Sequence, residues 1–183
     1  MPPHADQHLE ERILKTAQRL WKKRGEGGLT LRAVAKAAGT TTPTVYKRFP
    51  SKNAILVALT ARIRLQLNDE LFPARSIEDV FRRFLRFAED HPHEYTLLFR
   101  SWPDVFHQEL PGPGRVWFMS LLANRFGGAP ENYDRAFYAF FLLCHGASSM
   151  LCIPSEEAAR DAIRDNFLAV ANTLVKHIEI LRV

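Results

Sequence analysis

The chain has 183 residues, enough for one large or two small domains, and its 46% hydrophobic content is enough for a real core. Its N-terminus has no apolar run typical of a signal peptide, and its two cysteines have neither the number nor the spacing of a disulfide framework or a zinc site. All of its positive excess lies in residues 1–52, which hold 11 Lys or Arg against 4 Asp or Glu, a balance typical of a nucleic-acid-binding end.

Three helices are predicted in or at the end of this basic segment. The first runs from about His8 to Arg24 and ends at Gly25, because its apolar residues recur at helical spacing up to that point. Residues 29–52, LTLRAVAKAAGTTTPTVYKRFPSK, then predict two short helices joined at Gly39, a residue that takes a left-handed backbone at little cost. Two short helices with such a turn form a helix-turn-helix, whose second helix lies in the major groove of DNA.

The turn chemistry of this stretch supports the assignment. Thr30 is placed to cap the first short helix, the second begins near Thr41, and Pro43 sits in its first turn, where a missing N–H costs nothing. Val45 and Phe49 are four residues apart and face inward. The remaining side chains are hydroxyls and cations, which suit phosphate oxygens and can reach base edges.

The segment AKAAGTTTPTVYKRFPSKNAIL resembles the signature of the TetR family of transcriptional regulators. It has an Ala-Gly turn, a hydroxyl cap, Thr, an aliphatic residue and Tyr, followed by Phe, Ser and Lys. The resemblance covers roughly the first third of the chain, the usual extent of such a module. Members often have an aliphatic residue at Thr40 and Gly at Pro43, so the start of the recognition helix is expected to be stiffer here.

Carried over position by position, the resemblance implies eight DNA-binding residues. Those facing the groove would be Thr42, Pro43, Thr44 and Lys47, after a cap at Thr41. Those holding phosphates would be Tyr46, Thr30 and Lys52. Lys47 is expected to reach guanine, and Lys52 would be aided by the N-terminus of its own helix.

The chain after the helix-turn-helix is also expected to be helical. The sequence predicts an all-α fold of about nine helices, with an N-terminal three-helix DNA-binding domain in residues 1–52 and a helical ligand-binding and dimerisation domain in residues 53–183. A long helix from Asn53 to Leu71, without Gly or Pro, would lead away from the DNA-binding end as a lever. Ser76 begins a capping box for the next helix, and His91-Pro92-His93 ends that helix.

Residues 136–153 are apolar nearly all round, and their length approaches that of a membrane span. Because they include Gly146, Ser148 and Ser149 and have acidic flanks, a central helix of a bundle is the better interpretation, without membrane insertion. The last helix, with an expected cap at Ser155, has a long apolar stripe.

Together these two helices resemble the dimer face of TetR-type regulators, which pairs into a four-helix bundle. The resemblance implies a homodimer whose interface includes Ile163, Phe167, Val170 and Leu174. The alternative is that both stripes are buried within one monomer.

Aromatic residues are concentrated in the second part, where 17 of the 20 follow residue 60. A Phe-rich core accounts for most of them. The family resemblance also implies a pocket for a small apolar or aromatic effector between the C-terminal helices. Its expected wall residues are Phe84, Phe99, Trp102, Trp117, Phe141 and His145. His145 is equally interpretable as a hydrogen-bonded core histidine, which is the commoner situation.

No catalytic motif accompanies these features. His145-Gly146-Ala147-Ser148 lacks the Gly-x-Ser-x-Gly elbow because position 150 is Met, and no paired carboxylates or phosphate-binding loop are recognisable. His91 and His93 flank a proline and are better explained by a helix junction than by a metal site. We therefore predict that the chain is not an enzyme and uses no cofactor or metal.

The sequence thus predicts a cytoplasmic, ligand-responsive transcriptional regulator, most simply a repressor that binds a palindromic DNA operator as a dimer and is released by a small effector. A constitutive or architectural DNA-binding or protein-interaction factor of the same fold, without a ligand, is the alternative.

Overall fold

The computed structural model describes residues 4–100 and 112–183, and within these ranges the chain is all-α, as predicted. The helices of the N-terminal half are α1 (His4–Gly28), α2 (Leu31–Ala37), α3 (Thr42–Tyr46), α4 (Lys52–Leu71), α5 (Ile77–Asp90) and α6 (Pro92–Arg100). Those that follow are α7 (Pro113–Phe126), α8 (Asp134–Leu151) and α9 (Glu157–Lys176), with short 3₁₀ turns at Pro130–Tyr133 and Ile178–Leu181.

The chain forms two compact units. The first comprises the described parts of residues 1–65 and 91–101, and the second those of residues 66–90 and 102–183. Helix α4 therefore contributes to both units, and α6 belongs to the first although it follows α5 in the chain. The compact units are not the two functional domains proposed from the sequence, and the boundary after residue 52 stays a prediction.

In the first unit, α1 is longer than expected and is kinked at Gly25. It consists of two helical segments separated by Gly25, whose backbone is non-helical with φ of 55°. This backbone conformation favours glycine, and a Cβ atom at this position would also lie only 3.1 Å from Nδ1 of His93. The first helical segment therefore ends at Gly25, as the sequence predicted.

The second unit is built around an aromatic cluster. The ring of Phe81 on α5 is 5.1 Å from that of Phe140 on α8 and 5.7 Å, edge-on, from that of Phe167 on α9. Phe118 on α7 lies 6.0 Å from Phe140 and completes the cluster. Tilted and edge-to-face rings at these separations pack efficiently and bury large apolar areas, so four helices share one core.

Helix α8 has apolar side chains both in this core and on the surface. Phe140, Cys144 and Leu151 are buried, whereas Leu142 and Met150 are largely exposed. No helix in the described ranges is both long and apolar enough to cross a membrane.

The start of α9 differs from the prediction. Glu156, not Ser155, occupies the cap position, and no side-chain hydrogen bond caps the helix. Because α9 begins at Glu157, Ser155 lies one residue too early to cap its free N–H groups. The helix start instead has two glutamates next to it, which its dipole favours.

Replacing Phe81 by Ala should lower the free energy of unfolding by about 3–5 kcal/mol, because a buried ring is lost and a cavity remains among its neighbours. The side chain is only 1% exposed. Urea unfolding followed by circular dichroism measures the change. Phe72→Ala, at a ring that is 39% exposed, is the matched control and should cost distinctly less. Equal losses would contradict the central place of Phe81 in the core.

Candidate nucleic-acid interface

Helix α2 and the turn after it are fixed by local backbone chemistry. Thr30 is the N-cap of α2, and its hydroxyl accepts a hydrogen bond of 3.1 Å from the backbone N–H of Ala33. The helix ends at Ala37, and Gly39 has φ of 64°, the left-handed value that reverses the chain at low cost. The sequence-based prediction of a cap at Thr30 and a turn at Gly39 is confirmed.

The short helix α3 is held by its own cap. The Thr41 hydroxyl accepts a hydrogen bond of 3.3 Å from the Thr44 N–H, and the two threonine hydroxyls are 2.8 Å apart. Pro43 occupies one of the first two helical positions, where no intrahelical N–H donor is needed. The Thr44 hydroxyl is thus engaged with Thr41 in this structure, although the sequence assigned it to the groove.

The two sides of the helix-turn-helix differ in polarity as predicted. Val34, Ala35, Ala38, Val45 and Phe49 are buried, and Val45 has no exposed surface. The opposite side presents Pro43, Tyr46 and Lys47 as exposed residues, with Thr42 and Thr44 half-buried. A half-exposed tyrosine beside a lysine on a small helix is a surface suited to phosphates and base edges.

Lys52 begins α4 and is held by an ion pair that the sequence did not suggest. Its Nζ donates to the backbone carbonyl of Glu26 at 3.3 Å and lies 3.8 Å from the Glu26 carboxylate. The other oxygen of that carboxylate accepts a hydrogen bond of 2.7 Å from Arg100 at the end of α6. The sequence does single out Glu26, because it is the only acidic residue between Glu11 and Asp69 and is surrounded by basic residues.

A partly buried polar network joins α1 to α4 and α6 within the first unit. Arg62 donates two hydrogen bonds, of 2.7 and 2.9 Å, to the carboxylate of Glu11, which holds the pKa of that carboxyl below its ordinary value. The same guanidinium donates to Gln18 at 2.8 Å. Gln18 in turn donates to the buried carboxylate of Glu94 at 2.8 Å. These contacts fix the helices that support α2 and α3.

The two histidines of the α5–α6 junction take part in packing contacts. His91 Nδ1 lies 3.1 Å from a Glu94 carboxylate oxygen and 3.1 Å from the Lys22 ammonium. The backbone carbonyl of His93 accepts a hydrogen bond of 2.6 Å from the Trp21 indole. Within the described ranges, no group of three or more His, Cys, Asp or Glu residues could hold a metal ion.

The residues expected to line an effector pocket are divided in the structure. Phe84 and Phe141 are buried in the second unit, and Trp117 and His145 are half-buried there. Phe99 belongs to the first unit, where its ring lies 4.5 Å from that of Tyr95, and its place in the pocket stays a prediction. Trp102 lies outside the described residues.

Phe141 and His145 form part of an aromatic column along α8. The ring of Phe141 is 5.9 Å from that of Phe137 and 6.2 Å from the His145 imidazole, nearly parallel to both. Burial lowers the pKa of His145, which favours its neutral form. Arg115 lies 5.5 Å from the Phe137 ring and is hydrogen-bonded to Asp134. Sequence analysis missed Arg115 because its partners lie about twenty residues away.

The predicted dimer residues on α9 are exposed to different degrees. Val170 is 49% exposed, whereas Ile163 and Leu174 are half-buried. Phe167 is only 4% exposed and packs edge-on against Phe81. The ring of Phe167 is therefore covered by the core of its own chain, and its part in a dimer interface stays a prediction.

Comparisons with known proteins agree with this geometry. A family model described as bacterial regulatory proteins, tetR family, matches residues 13–59, which include α2, α3 and the start of α4. The HTH-type transcriptional regulator Rv1255c of Mycobacterium tuberculosis (strain ATCC 25618 / H37Rv) is 30% identical over 90 residues. That match spans 45% of this chain and 45% of the relative.

Two solved structures share the fold. A TetR-like transcriptional regulator from Rhodococcus sp. RHA1 has a TM-score of 0.54 at 17% identity, covering 89% of this chain and 93% of that one. A structure described as the molecular basis for control of antibiotic production by bacterial hormones also has a TM-score of 0.54, at 20% identity over 100% of both chains. In its motif, its helix-turn-helix and the match over residues 13–59, the N-terminal part of the chain is similar to the tetR family of bacterial regulatory proteins, and the fold is similar to that of TetR-like regulators.

Proposed function

We propose that this chain is a dimeric, DNA-binding transcriptional repressor in the cytoplasm, released from its operator by a small apolar or aromatic effector. The observation that carries the proposal is the exposed face of α3, which presents Tyr46 and Lys47. This face lies within residues 1–52, the segment that holds the positive excess of the chain. The family and the relatives are transcriptional regulators, in agreement with the prediction that the chain is not an enzyme.

In this proposal the residues of the helix-turn-helix divide into two groups. Lys47 reads a base, because it is exposed on α3 and its ammonium can donate to guanine O6 and N7. Tyr46, Thr30 and Lys52 hold phosphates and fix the register of α3 in the groove. Thr42 and Pro43 contribute contacts near the start of the helix, while Thr41 acts through its cap.

A two-fold dimer would place its two recognition helices roughly 34–36 Å apart, one turn of DNA, and so would read a pseudo-palindrome. The exposed side chain of Val170 on α9 and those of Leu142 and Met150 on α8 are the apolar surfaces that support a partner copy. A coupling free energy of roughly 1–3 kcal/mol between effector and operator would lower DNA affinity about 5- to 150-fold. Helix α4 has residues in both units, and the coupling would run through it.

The first test is selection of bound duplexes from a random DNA pool, with the complex sized and then challenged by apolar and aromatic compounds. We expect a palindromic site, a complex with two protein copies, and release by some of the compounds. A palindrome that no compound releases would support a constitutive or architectural DNA-binding protein instead. Absence of any preferred duplex would overturn the proposal.

Lys47→Ala should relax base preference at the positions that Lys47 reads, at a cost of about 1–3 kcal/mol on the preferred operator. Lys52→Ala should weaken binding to all duplexes alike and reduce the slope of log affinity against log salt by about one unit. Fluorescence anisotropy with operator and scrambled duplexes measures both effects. Lys176→Ala, at an exposed lysine near the end of α9, is the control and should change neither. Equal effects of the two variants on specificity would contradict the division of roles.

Val170→Asp should convert the dimer to a monomer and abolish tight operator binding together, because it places a charge in an apolar interface. Sedimentation velocity and anisotropy report the two changes. Val116→Asp, at a valine of similar exposure on α7, is the matched control and should stay dimeric. A Val170→Asp variant that remains dimeric would move the interface away from this part of α9.

A further inference from the structure

We propose that Glu26 is an internal competitor for the DNA phosphate at Lys52, and that Arg100 weakens this competition by sharing the Glu26 carboxylate. This inference rests on the proposed function, because it concerns the same DNA-binding surface. It adds two residues, from the end of α1 and the end of α6, that set the affinity for DNA without reading a base.

The geometry places one carboxylate between two cations. One oxygen of Glu26 is 3.8 Å from the Lys52 ammonium, and the other accepts a hydrogen bond of 2.7 Å from Arg100. The backbone carbonyl of Glu26 adds a 3.3 Å hydrogen bond from the same ammonium. The three side chains are each about half exposed, so solvent and a phosphate can reach them.

Sequence context makes this carboxylate unusual. Between Glu11 and Asp69 the chain has no other acidic residue, so Glu26 is the only anionic side chain in the sequence around the helix-turn-helix. Like charges repel, and a phosphate bound by Lys52 would come close to the Glu26 carboxylate. The Lys52 ammonium therefore faces two anions, one inside the protein and one on DNA.

Arg100 is expected to act in the opposite direction. Its guanidinium holds the nearer of the two contacts with Glu26, and a carboxylate engaged there competes less well for Lys52. Without Arg100, the Glu26 carboxylate would interact with Lys52 only. The two substitutions should thus change DNA affinity with opposite signs.

The test measures anisotropy of operator and scrambled duplexes with wild type and variants at several salt concentrations. Glu26→Gln should bind both duplexes about two- to fivefold more tightly, the range expected when an exposed ion pair is removed. Arg100→Gln should bind both about two- to fivefold more weakly. In the Glu26→Gln background, Arg100→Gln should have no further effect, because the carboxylate that links the two residues is absent.

Glu10→Gln is the matched control. It removes the same charge from an exposed position on α1, about 24 Å away along the helix, where salt screens the interaction with Lys52. Its affinity for DNA should stay close to that of wild type.

Three results would overturn the inference and leave the proposed function standing. Weaker binding by Glu26→Gln would make Glu26 a residue that positions Lys52 for phosphate. An undiminished effect of Arg100→Gln in the Glu26→Gln background would make Arg100 a DNA contact itself. A Glu26→Gln variant that binds DNA like the wild type would show that Glu26 does not compete with phosphate for Lys52. Wild-type protein that binds neither duplex would overturn the proposed function, and this inference with it.

Discussion

Helix α3 depends on its neighbours for its shape. Helix α3 has five residues, far fewer than the roughly 12–15 that an isolated helix needs for even marginal stability in water. The Thr41 hydroxyl satisfies one end, and burial of Val45 and Phe49 holds the inner face. In the same unit, the network around Arg62 and Gln18 joins α1 to α4 and α6. The position of the exposed α3 residues is therefore a property of the whole first unit.

Electrostatics act on this surface over two ranges. The positive excess of residues 1–52 acts at long range and is screened over about 10 Å at 0.1 M salt. At short range the Glu26 carboxylate engages Lys52 and Arg100 together. Formal charge counted along the sequence therefore overstates the charge that is free to meet phosphates. The charge of Arg62 is likewise not free to meet phosphates, because Arg62 forms an ion pair with Glu11.

Most features encoded within four residues could be predicted from the sequence, with the cap expected at Ser155 as an exception, and features encoded by distant pairs could not. Caps at Thr30, Thr41 and Ser51 each bond an N–H three residues later, so the sequence specifies them almost completely. The contacts of Glu26 span 26 and 74 residues and have no local signature. The close approach of Gly25 to a histidine on α6 has no local pattern either. The division of α6 from α5 into different units is equally non-local.

The apolar stripe of α9 shows why a stripe alone does not reveal what covers it. Successive residues of a helix advance by about 100°, so Phe167 and Val170 lie about 60° apart at opposite edges of the stripe, with Ile163 and Leu174 between them. Burial falls steadily across this face, from Phe167 through the two central residues to Val170. The chain's own core thus covers one edge and leaves the other open. Burial within the monomer and pairing with a second copy are therefore compatible uses of one helix face, and the uncovered edge at Val170 is the part available to a partner.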